Sequence, residues 1–113
     1  MTPLNTAKLY FELSNSRDLD AIEKIIHLEA IYTSDATWLY FWRESIMTMM
    51  RSFFEKFAYL NWEIESIDEI RSWIIEIEFH ATFRNQSGET LRDGKERIIV
   101  QDGIIRYIEV INF

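Results

Sequence analysis

The sequence predicts a single α+β domain, with helices first and a β-meander after them. Three observations carry this. Apolar residues recur near helical spacing through the first half, as far as Phe57. Most isoleucines fall after Leu60, where β-branched side chains favour strands. Between Ser72 and Phe83, apolar and polar residues alternate with period two. At 113 residues the chain is long enough for one core, and no stretch reads as a linker, a repeat or a low-complexity segment.

The elements follow in order. Thr2-Pro3 is a helix start, because proline is tolerated in the first turn. Leu4, Ala7, Tyr10, Phe11 and Leu13 continue that helix, and Ser14-Asn15-Ser16-Arg17 breaks it. Asp18 is a good N-cap for a second helix, with Leu19, Ile22, Ile25 and Ile26 on its apolar face and His27 on its polar one. Ala30 to Thr33 is short and extended, Ser34 to Thr37 is a turn, and Trp38 to Trp42 is an aromatic strand. Arg43 to Phe57 is a third helix with Ile46, Met49, Met50, Phe53 and Phe57 as its buried stripe. Tyr59 to Arg71 is the first long strand, and its broken parity around Ile64 and Ile67 predicts a bulge. Ser72 to Phe83 follows, with Trp73, Ile75, Ile77, Phe79, Ala81 and Phe83 on one parity. Asn85 to Gly88 is a hairpin turn, Glu89 to Gln101 returns, and Asp102-Gly103 turns into the last strand, Ile104 to Phe113.

Composition excludes several classes. Twelve basic residues stand against 19 acidic ones, a formal charge of −7, with no basic cluster, so a nucleic-acid partner is not expected. The chain has no cysteine, which removes disulfides, thiolate metal sites and a cysteine nucleophile. No apolar run approaches the ~20 residues that span a bilayer, and Met1 to Leu4 does not begin a signal peptide. A cytoplasmic protein without a membrane partner is the expectation. Nothing in the residues calls for a cofactor.

The order of elements, and several short stretches, resemble the nuclear transport factor 2-like superfamily, which includes ketosteroid isomerases and SnoaL-like polyketide cyclases. Ala7-Lys8-Leu9-Tyr10-Phe11-Glu12-Leu13 with Arg17-Asp18-Leu19-Asp20-Ala21-Ile22 resembles the family's junction between its first two helices. Glu29-Ala30-Ile31-Tyr32 is similar to the opening of its first short strand. Trp42-Arg43-Glu44-Ser45-Ile46 is similar to G-R-E-x-I at its third helix, with tryptophan in place of the usual glycine. Asp102-Gly103-Ile104-Ile105 resembles its closing D-G-K-I turn. The resemblance covers nearly all of residues 1–113. It implies a cone: a curved antiparallel sheet wrapped on three N-terminal helices, of cystatin-like or nuclear transport factor 2-like type, with a ligand pocket between sheet and helices.

For this chain the resemblance implies an aromatic pocket built from Trp38, Tyr40, Phe57, Trp62, Trp73, Phe79 and Phe83, suited to a small hydrophobic molecule. Isomerase-type members need a carboxylate base, a tyrosine hydroxyl and a protonated acid that stabilise a developing oxyanion. Tyr10 falls on the family's tyrosine without a gap. The base position falls on Ser34 without a gap and on Asp35 with a shift of one residue. The second acid falls on Arg92 without a gap and on Asp93 if the last hairpin is one residue shorter. The catalytic set implied is therefore Asp35, Tyr10 and Asp93.

Each of these residues also has a plain reading. Tyr10 fits a helix core, Asp35 fits a turn, and Asp93 before Gly94 fits a strand irregularity. His80 shares a strand face with Glu76 and Glu78, but neighbours on one face sit about 6–7 Å apart, which argues against a metal site. Lys95-Glu96-Arg97 reads as a solvated strand face. The last two strands are apolar on both parities, which calls for cover on both faces of the sheet and predicts a homodimer through it. Three functions remain open: binding of a small hydrophobic molecule; an isomerase, cyclase or dehydratase acting on a small carbonyl compound; or a non-enzymatic interaction module whose pocket is filled by its own side chains.

Overall fold

The computed structural model describes all of residues 1–113. Helix α1 spans Pro3–Asn15, α2 Leu19–Lys24 and α3 Arg43–Glu55. The strands are β1 Ile26–Ser34, β2 Trp38–Phe41, β3 Tyr59–Arg71, β4 Ile74–Asn85, β5 Gly88–Gln101 and β6 Ile104–Asn112. They form one six-stranded curved sheet in the order β2-β1-β6-β5-β4-β3. The α+β class and the cone follow the expectation. One pairing differs: β1 runs parallel to β6, so the sheet is mixed rather than wholly antiparallel.

The helix ends follow from their residues. The Thr2 hydroxyl accepts the Asn5 amide at 3.1 Å, and Pro3 occupies the first turn, where its missing N–H costs nothing. Asp18 caps α2 by accepting from the Ala21 amide. That helix is only six residues long, shorter than expected. Ile26, placed on its apolar face by helical spacing, instead opens β1 opposite Ile105, and His27 follows it into the strand. Its β-branched side chain serves the sheet interior better than a seventh helical residue would. Trp42 starts α3 at φ 76° and ψ 146°, a conformation that suits glycine, and it has no side-chain cap bond.

The meander matches the parity reading. Ile75, Ile77, Phe79, Ala81 and Phe83 are buried on the concave side. The β3–β4 register shifts between Ile64 and Ser66, the bulge foreseen there. Asp102 (φ 53°) and Gly103 (φ 75°) form a tight left-handed turn between β5 and β6. Trp73 departs from the pattern. It lies in the β3–β4 turn at φ 74°, half exposed, because the alternation begins only where β4 does, at Ile74.

Two polar contacts fasten the N-terminal helices, one to the sheet and one to α3. The Asn15 side chain exchanges two bonds with the Trp62 backbone, donating at 2.9 Å and accepting at 2.7 Å. Arg17, at φ 58°, donates to the carbonyl of Phe54 in the last turn of α3 (2.5 Å) and to that of Phe57 just beyond it (3.0 Å).

The central strands are locked by a glycine. A Cβ at Gly94 would stand 2.7 Å from the Ile111 carbonyl oxygen and 2.7 Å from the Phe79 ring. Gly94→Ala should therefore cost about 2 kcal/mol or more. Urea denaturation checks this, the expected result being a lowered midpoint with an unchanged slope.

Candidate functional site

The concave face of the sheet and the helices enclose a cavity of about 150 Å³. Its apolar wall is an aromatic cluster centred on Phe83, whose ring lies 5.3 Å from Phe53, 5.3 Å from Phe57 and 5.4 Å from Trp62. Phe11 and Phe79 close the opposite side, 6.2 Å apart. Met49 and Met50 of α3 fill in between. Phe57, Trp62, Phe79 and Phe83 line this cavity.

Trp38, Tyr40 and Trp73 do not reach the wall. Trp38 is 79% exposed at the free edge of the sheet, and Trp73 occupies its turn. The Tyr40 ring packs on Tyr32, 6.3 Å away, and its hydroxyl donates to the Thr37 carbonyl at 2.8 Å.

The three residues implied by the isomerase resemblance do not converge. Tyr10 lines the cavity from α1. The Asp35 carboxylate lies outside it, accepting from the backbone N–H of Asn112 at 3.2–3.3 Å and from its side-chain Nδ2 at 2.5 Å. This bond ties the β1–β2 turn to the end of β6. Asp93 faces the outer, convex side, where His80 Nδ1 meets it at 2.5 Å and His80 Nε2 meets Glu65 at 3.1 Å. Hydrogen bonding to Asp93, with the charge of the same group, pushes the His80 imidazole above its ordinary pKa. Glu76 and Glu78, the expected neighbours of His80, pair instead with Lys95 and Arg97. The residues that fall on the family positions without a gap, Tyr10, Ser34 and Arg92, are the ones on the cavity wall. The two positions where the resemblance calls for a carboxyl thus carry a serine and an arginine.

The carboxyl inside the cavity is Glu96, which sequence reading assigned to a solvated face. It is 5% exposed, and its Oε1 has no hydrogen-bond partner in the protein. Burial alone pushes its pKa up to about 8, which favours the protonated form at neutral pH, a form able to donate a hydrogen bond. A signal for it was present. Glu96 shares the parity of Ile98 and Val100, both fully buried, while Lys95 and Arg97 take the other. Tyr10 and Tyr32 stand near enough for the Glu96 charge to act on them, and burial first, then that charge, raises both phenols. Thr37 Oγ1 sits beside the Tyr32 hydroxyl, near enough to lower it partly, but makes no well-formed hydrogen bond. The closed end therefore holds hydroxyl and carboxyl groups in apolar surroundings, with Thr37 Oγ1 and Glu96 Oε1 without partners.

This makes stability depend on pH. The folded Glu96 keeps its proton up to about 8, whereas the unfolded group loses it near 4.5. Over that window the unfolded state binds fewer protons, so stability falls as pH rises, by about 5 kcal/mol at most. Denaturation at a series of pH values should show this decline between pH 4.5 and 8, and Glu96→Gln should flatten it.

No family model matches the sequence, and neither does any curated protein. Solved structures do match. A putative SnoaL-like polyketide cyclase from Shewanella denitrificans superposes with a TM-score of 0.88 at 10% identity, covering 98% of this chain and 90% of that one. An LEH-like epoxide hydrolase from M. tuberculosis gives 0.87 at 11% identity, over 98% and 82%. An NTF2-like protein of unknown function from Exiguobacterium gives 0.84 at 14% identity, over 96% and 98%. At such identities the likeness speaks for architecture: the chain has the cone-shaped fold of the nuclear transport factor 2-like superfamily.

Proposed function

We propose that this protein binds a small molecule inside the cone, its buried part apolar except for a hydrogen-bond acceptor, such as a carbonyl oxygen, at the closed end. The observation that carries this reading is the buried, protonated and unpartnered Glu96 at the closed end of an aromatic cavity. An unsatisfied buried polar group costs about 1–3 kcal/mol, so it is retained where a ligand completes it. The volume of about 150 Å³ suits a single six-membered ring with short substituents. Neighbours of the same fold described as a cyclase and an epoxide hydrolase support reading the cone interior as a ligand chamber.

Catalysis by proton transfer is the second reading. It rests on the nearness of the Glu96 pKa to neutrality, which suits a group that takes and returns a proton. With Asp35 and Asp93 directed elsewhere, Glu96 would carry the transfer, and Tyr10 would stabilise the oxyanion. Turnover would then rise with pH through about 8 and vanish in Glu96→Gln.

Acetophenone and ethylbenzene, alike in ring and size, test the binding reading. Quenching of tryptophan fluorescence should saturate with both, and acetophenone should bind at least fivefold more tightly. Glu96→Leu should erase that preference while raising stability at neutral pH by about 1–3 kcal/mol. Equal affinity for the two compounds in the unaltered protein would refute the reading.

The outer face supports a homodimer. Ile31, Ile74, Ile99 and Tyr107 form a half-buried apolar strip there, continued by exposed Ile111, Leu39 and Phe41. Beside it run the paired rows of Glu76, Glu78, Lys95 and Arg97, acidic and basic together, so a second copy meets both signs of charge. Sedimentation should give a dimer at micromolar concentration, and Ile99→Arg should convert it to monomer.

A further inference from the structure

The cavity has a second polar end. Along β5 the residues facing inward are Thr90, Arg92, Gly94, Glu96 and Ile98, and burial rises in that order, from exposed at Thr90 and Arg92 to complete at Ile98. Glu96 therefore marks the closed end and Arg92 the mouth. Their Cα atoms are about 13 Å apart by strand rise. Gly94 between them adds no side chain to the path, and its place is taken by the Phe79 ring.

Arg92 is a free cation. Arg51, Arg84, Arg97 and Lys95 are all engaged by carboxylates, whereas Arg92 is in no ion pair. The two acids nearest to the mouth are otherwise occupied: Asp35 accepts three bonds from Asn112, and Asp93 holds His80 on the outer face. A shallow cleft lined by Leu91, Arg92, Asp93, Asn112 and Phe113 adjoins the mouth and shares Arg92 and Asn112 with the cavity. The guanidinium thus stands where the apolar chamber meets water.

From this placement, and resting on the cavity reading above, we infer that the ligand is a small organic acid. Its ring lies among the phenylalanines, its carbonyl oxygen accepts from Glu96, and its carboxylate sits at the mouth on Arg92, with the Asn112 amide beside it. The planar guanidinium suits a carboxylate by forming two parallel hydrogen bonds. The carboxylate keeps part of its hydration in the cleft, so its desolvation is incomplete and the pair is net favourable. The overall charge of −7 opposes anions at a distance, so Arg92 selects by contact rather than by steering.

Calorimetric titration of 4-acetylbenzoate and its uncharged analogue 4-acetylbenzamide tests this, with the full chain at neutral pH. The acid should bind at least tenfold more tightly than the amide. Arg92→Gln, an exposed substitution that spares the core, should remove that advantage and leave the amide within twofold of its original affinity. Binding of the amide with no advantage for the acid, or an advantage that survives Arg92→Gln, overturns the acid assignment and leaves the cavity reading standing. Failure of both compounds to bind at millimolar concentration overturns the two together.

Discussion

Everything inside this cone depends on the helices being held at the rim of the sheet rather than lying flush on it. Two contacts do this. Asn15 ties the end of α1 to the Trp62 backbone of β3, and Arg17 ties the α1–α2 turn to the last turn of α3 and the chain just beyond it. The bonds of the Arg17 guanidinium are worth about 1.5–3 kcal/mol each and those of the neutral Asn15 amide about 0.5–1.5, and both are directional. Apolar packing alone has no such preference and would draw α3 down until the hollow closed. The directional contacts fix the ends of α1 and α3, and the bulge in β3 bends the sheet to meet them. The aromatic cluster around Phe83 then packs as a wall instead of a plug.

A hollow of this kind is costly, and the cost is concentrated at Glu96. A carboxyl pushed up to about 8 is held far from its preferred state, and neither Tyr10 nor Tyr32 satisfies its Oε1. A leucine there would fold better. The chain keeps an acid, and keeps it among phenols that are themselves raised by burial. Groups that lower stability without serving the fold are the ones that a function explains. Asp35 contrasts with it. Its carboxylate is fully used by Asn112, which makes it a structural fastener at the β1–β2 turn.

Much of the fold was legible because period and parity are local properties. The alternation from Ile75 to Phe83 and the Asp102-Gly103 turn could be read from a few residues, and β4 and the β5–β6 hairpin stand as they imply. Helical spacing extended α2 too far, because Ile25 and Ile26 satisfy a helix face and a strand equally well. The site was less legible for a related reason. A shift of one residue in a strand reverses the face, so choosing Asp35 over Ser34 and Asp93 over Arg92 exchanged inner residues for outer ones. Glu96 was hidden by its flanking Lys95 and Arg97, although Ile98 and Val100 two and four residues on gave its direction.

The same arithmetic makes β5 the strand on which both surfaces of the protein are written. Arg92 and Glu96 face the cavity; Asp93, Lys95 and Arg97 face outward and pair with His80, Glu76 and Glu78. Any slip by one residue would place two basic side chains in the chamber and expose the buried acid. The register therefore has to be held by something stronger than the ladder of backbone bonds, which a slipped strand would recover. Gly94 supplies it. A Cβ at this position would stand 2.7 Å from both the Phe79 ring and the Ile111 carbonyl oxygen, so a neighbour with a side chain could not slip into its place without a clash. The contact that aligns the sheet is thus also the one that directs Glu96 inward, and fold and site share one determinant.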